Sequence, residues 1–261
     1  MNLKEILALY DKEQRQEIEY PAMRREALPY VVRHSDLSGR EGVVLYSQLN
    51  AENADQAIHQ QIDYFEKIGQ NFEWKYYEHD APKDLKDRLI AQGFIPGEAE
   101  ALMVLDLEKV PAALLRPITH DVQRITDPDK LAEIVRVQNQ VWGEDHSWLA
   151  AKLAKELLNP QGSVYVAYAS GEPASCAWIR FSEKGQFASL WGGATIPAHR
   201  KQGFYTALVA ARTQEARRRG ARFLTIDAGP MSRPIVEKFG FQLLTHTYPC
   251  DWKVKQPKLL S

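Results

Sequence analysis

Phe187-Ala-Ser-Leu-Trp-Gly-Gly-Ala-Thr-Ile-Pro-Ala-His-Arg-Lys-Gln-Gly-Phe-Tyr-Thr-Ala-Leu208 opens a stretch, continuing to Arg219, that reads as strand, tight loop and helix. The strand part is apolar and aromatic, and it ends in Gly192-Gly193. Paired glycines weaken a strand, so their presence predicts a bulge or a splayed ladder. After Pro197 comes Arg200-Lys-Gln-Gly-Phe-Tyr205, where Gly203 admits a backbone conformation, or a close approach by a ligand, that a side chain would obstruct. A helix starts at once. Its first turn leaves N–H groups without intrahelical partners, and with the positive end of the helix dipole they suit a phosphate or diphosphate.

Working outward, the apolar run Phe223–Ala228 predicts a strand, and Arg233-Pro-Ile-Val-Glu-Lys-Phe-Gly-Phe241 a helix stopped by Gly240. Upstream, a strand near Val122–Ile125 precedes a helix from Pro128 carrying Leu131, Ile134, Val135 and Val141 at core spacing. Trp142-Gly-Glu-Asp-His146 breaks that helix, and Trp148–Leu158 forms another, ended by Asn159-Pro160. Val164–Ala169 and Ala174–Phe181, joined at Ser170-Gly-Glu-Pro173, read as a hairpin.

The first half shows a related order. Leu3, Ile6, Leu7 and Tyr10 place a helix over residues 2–18, and Val31–Arg33 and Gly42–Tyr46 read as short strands. Ile58, Ile62, Phe65 and Ile68 share one helical face, Phe72–Tyr77 alternates as a strand, and Asp80 caps a helix with Leu85, Leu89 and Ile90 buried, stopping at Gly93-Phe94. Ala101–Leu107 is a further strand. Helix, strand, helix, Gly-Phe, strand over residues 54–107 thus repeats, loosely, the order over residues 205–254. Val110–Pro117 reads as a linker, giving domains 1–112 and 117–261.

The 261 residues suffice for two ordinary cores, and 44% hydrophobic with 26% charged content places the chain among globular proteins. No apolar run reaches membrane-spanning length and the N-terminus is amphipathic rather than signal-like, which predicts a cytoplasmic protein with no membrane partner. A formal net charge of -1 gives no electrostatic reason to expect nucleic acid. Cys176 and Cys250 stand alone without metal-ligand spacing, so no metal is expected.

The Arg200-to-Tyr205 loop resembles the acyl-CoA-binding motif of the GNAT superfamily of N-acetyltransferases: Arg or Gln, two variable residues, Gly, one variable residue, then Gly or Ala. Tyr205 departs from it at the last position. The following strand and the helix ending in Gly240-Phe241 match in the family's order. The resemblance implies a mixed α/β protein of two GNAT-like domains, each a central, mostly antiparallel mixed sheet flanked by helices. Residues 1–112, which lack the loop, would be a degenerate copy that supports or shapes the substrate site, or else an unrelated α+β domain that shares only common element types. The implied activity is transfer of an acetyl group from acetyl-CoA to a primary amine of a small molecule or peptide by direct attack. The alternative is a non-catalytic acyl-CoA-binding or regulatory module. Paired exposed strands would permit a homodimer.

On the same resemblance, Gly193, Ala194, Thr195, Arg200, Lys201, Gln202, Gly203, Phe204, Tyr205 and Ser232 bind the acyl donor, and an unpaired strand N–H near Gly193 or Ala194 takes the oxyanion. Many members carry a Tyr proton donor four residues before the Gly of Gly-Phe; here that residue is Val236. Either another residue substitutes, with Tyr248 and Tyr205 as candidates unless they are mere packing, or the thiolate leaves unaided, as its modest basicity permits. For the base, Glu144, with Asp145 and His146, lies in the acceptor loop or forms a solvated turn with Ser147 as cap. Asp227, the one acid in its apolar run, serves the proton path or caps the next helix. Trp142, Trp148, Trp178 and Trp191 wall a pocket or fill a core. Arg217, Arg218, Arg219 and Arg222 favour a helix end over the donor's 3′-phosphate.

Overall fold

The computed structural model describes residues Met1–Tyr20 and Met23–Val254. The chain forms two compact units, Met1–Leu102 together with the residues from Leu243 on, and Met103–Gln242. In chain order the elements are α1 (Leu3–Tyr10), β1 (Met23–Ala27), β2 (Val31–Asp36), β3 (Glu41–Ser47), α2 (Ala54–Lys67), β4 (Asn71–Tyr77), α3 (Leu85–Ala91), β5 (Ile95–Pro96), β6 (Glu100–Asp106), α4 (Ala112–Leu115), β7 (Asp121–Ile125), α5 (Leu131–Trp142), α6 (Trp148–Leu157), β8 (Gly162–Ala169), β9 (Glu172–Phe181), β10 (Phe187–Thr195), α7 (Phe204–Arg218), β11 (Phe223–Ala228), α8 (Arg233–Glu237) and β12 (Gln242–Trp252). The class is mixed α/β, with helices flanking sheets in which antiparallel pairs outnumber parallel ones.

In the second unit β7, β8, β9 and β10 pair antiparallel in succession, and β10 pairs β11 in parallel across the α7 crossover. A parallel pair requires such a crossover, because no tight turn can return the chain in the same direction. Ile134 and Val137 of α5, Leu153 of α6, Val164 and Val166 of β8 and Cys176 of β9 form a core with almost no solvent exposure. Residues 110–117 are folded rather than a free tether: Leu114 of α4 is buried, and Gln214 of α7 donates to the carbonyls of Leu114 and Arg116 at 3.0 and 2.9 Å.

The first unit repeats the plan. β1, β2 and β3 are antiparallel, β3 and β4 are parallel across α2, and β12 lies antiparallel on β4 from Thr247↔Tyr77 to Trp252↔Phe72. The compact division therefore gives the last strand to the first unit, whereas the composition of residues 110–117 suggests a simple break there. Ile58, Phe65, Phe72, Trp74, Leu85, Leu89 and Phe94 make its core. Ile68 and Ile90, expected on buried faces, stand at helix ends and are each 43% exposed. The helix expected over residues 2–18 runs as α1, started by an Asn2–Glu5 capping box, and then widens to π-helical winding over Asp11–Gln16. Gly93-Phe94 and Gly240-Phe241 do correspond. Each glycine has positive φ (+102° and +85°), and each Phe N–H reaches back to the last turn of α3 or α8, to Leu89 and Val236 respectively.

The winding of the first helix brings in Arg15. It is 1% exposed, donates to both Asp80 carboxylate oxygens at 2.8 and 2.9 Å, to Asp11 at 2.7 Å and to the Leu45 carbonyl at 2.9 Å, and lies 3.7 Å above the Tyr77 ring. Asp80, expected as a helix cap, instead accepts from Arg15 and the Tyr77 N–H, and α3 begins only after Asp84. Removing one partner of such a buried pair leaves an uncompensated charge. Arg15→Ala is therefore expected to lower unfolding free energy by about 3–5 kcal/mol, read from urea unfolding; a loss within experimental error would show the pair to be dispensable.

Candidate active site

The parallel ladder of β10 and β11 runs from Phe187↔Phe223 to Leu190↔Ile226 and stops there. Beyond it the strands part. β10 is bulged against β9 between Trp191 and Ala194, so that the register resumes at Ala194↔Cys176. Gly192 sits at φ +59°, a region that side chains disfavour, and a Cβ on it would collide with the Trp178 ring. A Cβ on Gly193 would come 2.9 Å from the ring of Tyr205. Neighbouring strand residues face opposite sides, so Trp178 covers one face of the bulge and Tyr205 the other.

The loop after β10 is built on backbone. A short 3-10 turn, Pro197–His199, leads to Arg200, whose Nε donates to the Thr195 carbonyl at 3.2 Å and ties the loop to the strand end. Lys201 has φ +60° and Gly203 φ +89°. A lysine held left-handed costs roughly 1–2 kcal/mol, a strain typical of functional loops. Among the described residues the backbone N–H groups from Lys201 to Thr206 meet no protein acceptor. Ala207 is the first to bond backward, to the Gly203 carbonyl at 2.9 Å. These amides stand at the positive end of α7, beside the opened fork.

His120, which composition and spacing did not single out, braces this loop. Its Nε2 donates to the Gln202 carbonyl at 2.8 Å, its ring meets Phe204 edge-on at 4.9 Å, and it leaves no space for a Cβ on Gly203. It lies 82 residues away in sequence from its partner, so no local pattern marks it. Gln138 and Arg212 were also illegible. Gln138 of α5 donates to the Gly192 carbonyl at 2.9 Å, and Arg212 of α7 to the carbonyls of Trp178 and Trp191 at 3.1 and 3.3 Å. The only hint is a polar residue on the core-facing side of each helix.

Asp227 lies one residue past the last β10–β11 pair, half-buried at the mouth of the fork. No side chain caps α8. Ser232, just before α8, donates its hydroxyl to the Gly229 carbonyl at 3.3 Å, and burial raises the Tyr205 phenol above the ordinary tyrosine pKa. Val236 is wholly buried. Glu144 is exposed in the loop between α5 and α6, where Ser147 is no side-chain cap; instead the Asp145 carboxylate accepts from the Ser147 N–H and hydroxyl, bonds that hold its pKa low. Tyr248 belongs to β12 of the first unit, against Tyr76 and with the Lys86 ammonium 4.1 Å over its ring. Trp142, Trp148 and Trp191 are exposed and Trp178 is buried. Arg219 is taken up by Glu215, the Pro160 carbonyl and the Phe181 ring, and Arg222 by Asp106.

The first unit forks at the corresponding place but is closed. Its parallel ladder ends at Val44↔Trp74, and the next carbonyl, that of Leu45, is filled by Arg15. At the head of α2 the N–H groups of Glu52 and Asn53 donate to the Asn50 side chain at 2.9 and 3.0 Å, and that of Ala54 to its carbonyl at 3.1 Å.

Compared with known proteins, residues 126–241 match the model of the acetyltransferase (GNAT) family. No curated protein matches the sequence. Among solved structures, the chain is similar to a GCN5-related N-acetyltransferase from Kribbella flavida (14% identity, 98% of this chain and 96% of that one, TM-score 0.70). It is also similar to a functionally unknown conserved protein from Staphylococcus epidermidis ATCC 12228 (13%, 92% and 99%, 0.67). A third is a tandem GNAT protein from the clavulanic acid biosynthesis pathway (13%, 99% and 89%, 0.60). Over almost the whole chain, these likenesses establish the fold.

The Trp178 collision gives a test of the bulge. Gly192→Ala is expected to destabilise the protein by roughly 2–4 kcal/mol through overpacking and backbone strain. Combined with Trp178→Ala, the loss should be smaller than the sum of the two single losses, because they share one contact. Strict additivity in denaturant melts would show that the ring does not fill that space.

Proposed function

We propose, from the match of residues 126–241 to the acetyltransferase (GNAT) family model, that the chain is an N-acetyltransferase transferring the acetyl group of acetyl-CoA to a primary amine of a small molecule or peptide by direct attack. The observation that carries this reading is the run of amides from Lys201 to Thr206 without protein acceptors, at the head of α7 beside the fork. A diphosphate is the group such a cradle accommodates. The residues Gly193, Ala194 and Thr195 of the bulged strand and Ser232 across the fork would flank the pantetheine arm.

In the reaction the amine lone pair attacks the thioester carbonyl, the oxygen takes charge as the carbon becomes tetrahedral, and the C–S bond breaks to release the thiolate. A bulge amide receives the oxygen's charge. The amine must lose a proton, and Asp227 at the fork mouth is our first candidate for the group that takes it, directly or through water, with Glu144 of the α5–α6 loop the second. Direct attack is favoured over an acyl-cysteine route, because burial pushes the Cys176 thiol, beside the bulge, up to about 12 and keeps it from acting as a thiolate nucleophile. Tyr248, packed in the first unit, is a third candidate for proton transfer. The first unit, whose corresponding cradle is satisfied by Asn50 and whose fork holds Arg15, we assign to supporting or shaping the substrate site.

A non-catalytic acyl-CoA-binding module is the rival, favoured by the apolar Val236 where many relatives have a phenol. Release of free thiol in the presence of a panel of amines separates the two, and binding with no thiol release across the panel would favour the rival.

The cradle makes a quantitative prediction. Acetyl-pantetheine, which lacks the diphosphate, should bind at least about 100-fold more weakly than acetyl-CoA, since two or more charge-assisted hydrogen bonds of about 1.5–3 kcal/mol each are lost. Equal affinities in a calorimetric titration would remove the diphosphate from the account. Gly203→Asp should abolish acetyl-CoA binding, whereas Gly203→Ala, which shares the strain at positive φ without the negative charge, should retain part of it. Equal loss in both would point to loop folding rather than charge.

A further inference from the structure

Two helices reach the bulge from its opposite faces, each with one buried polar side chain. Gln138 of α5, 5% exposed, donates its Nε2–H to the Gly192 carbonyl at 2.9 Å, while its Oε1 accepts the indole N–H of Trp142 at 2.9 Å. Arg212 of α7, 1% exposed, donates to the Trp178 and Trp191 carbonyls, and its Nε to the Leu208 carbonyl at 3.0 Å. That α5 and α7 lie on opposite faces follows from their neighbours. Trp178, which covers Gly192, packs in the core cluster with Ile134 and Val137 of α5, whereas Tyr205, which covers Gly193, belongs to α7.

Both contacts are structurally expensive, which is why they invite a functional account. Arg212 has no carboxylate partner, its second terminal nitrogen has no acceptor among the described residues, and burial lowers its pKa to about 10. It remains a cation at neutral pH. A fully desolvated charge of this kind costs stability unless something else requires it.

We propose that Gln138 and Arg212 are positioning residues that hold the two bulge peptides at fixed, opposed orientations and so aim and polarise the N–H group of Gly193 as the donor to the acyl oxygen. In a trans peptide the C=O and the N–H point in opposite directions. Fixing the Gly192 carbonyl toward α5 therefore turns the Gly193 N–H toward the α7 face, where Tyr205 and the loop amides lie. Fixing the Trp191 carbonyl on Arg212 of α7 turns the Gly192 N–H the other way, toward α5, and holds the neighbouring peptide against rotation so that the Gly193 N–H keeps its aim. A carbonyl that accepts a hydrogen bond makes the N–H of the same peptide a stronger donor, an enhancement of about 10–30% per bond. Donors held in place before charge develops lose nothing to reorganisation when it does. Trp142, 54% exposed at the end of α5, locks the Gln138 amide in the orientation that presents N–H rather than oxygen to Gly192.

This inference rests on acetyl-CoA being the acyl donor. It is tested with the full chain, acetyl-CoA carrying a 13C label at the acetyl carbonyl, and infrared difference spectroscopy, alongside calorimetric affinity and thermal melts. In the wild type the bound carbonyl band should lie below its position in free acetyl-CoA. Gln138→Leu should return it toward the free value and lower kcat about tenfold or more, with acetyl-CoA affinity within about threefold of wild type because the loop amides are untouched. Trp142→Phe, an exposed and mild replacement, should move the band the same way by less. An unchanged band in both variants would overturn the proposal, as would losses of affinity and melting temperature that run in parallel with the band. Failure of the wild type to bind acetyl-CoA would instead remove the donor assignment, and this inference with it.

Discussion

Everything at the candidate site depends on where a parallel ladder ends. β10 and β11 are joined from Phe187↔Phe223 to Leu190↔Ile226, and then separate. A sheet gives up backbone hydrogen bonds where it forks, and buried backbone groups left unpaired are costly. The chain manages this with side chains. Gln138 and Arg212 occupy carbonyls at the bulge, Arg200 occupies the carbonyl of Thr195, and His120 that of Gln202. The carbonyls are thus provided for from within the protein, while the amides from Lys201 to Thr206 are left for something else. That asymmetry is the observation on which the proposed diphosphate site rests.

The two units show the same plan with the helix head open and with it closed. Each has strand, helix and parallel strand, followed by a helix ended by Gly-Phe. In the first, Asn50 closes the helix head with its own side chain and Arg15 enters the fork, held by two carboxylates and the Tyr77 ring. In the second, a left-handed lysine and glycine keep the helix head open. The difference amounts to a few residues. An asparagine at the helix head exchanges an open amide row for an internal cap, and at the first unit's own bulge, between Val44 and Tyr46, a single buried arginine holds the Leu45 carbonyl where the second unit's bulge is clamped from both sides.

How much of this could be read from the sequence depended on the range of the interaction. Gly192-Gly193 announced the bulge and Gly203 the left-handed turn, because a glycine's conformational freedom is a local property. The paired Gly-Phe segments were legible for the same reason, as helix stops with a buried aromatic after them. What could not be read was partnership. Alternation in Gln242–Trp252 signals a strand but not that it lies on β4 of the first unit. Asp80 looked like a cap because it precedes a helix, and only the distant Arg15 shows its use. Tyr205 departed from the family pattern in sequence, yet its effect on the site appears only with Gly193 beneath its ring. His120, Gln138 and Arg212 act on residues 82, 54 and 21 positions away.

The central claim is that the open amides of the second unit, and not the closed ones of the first, receive the diphosphate of acetyl-CoA. Backbone amide NMR during titration with acetyl-CoA reads this directly. The account predicts downfield movement of the N–H resonances from Lys201 to Thr206 as they gain an anionic acceptor, with those of Glu52, Asn53 and Ala54 at the head of α2 unmoved. Saturable shifts at α2 with none at the Lys201–Thr206 segment would contradict it.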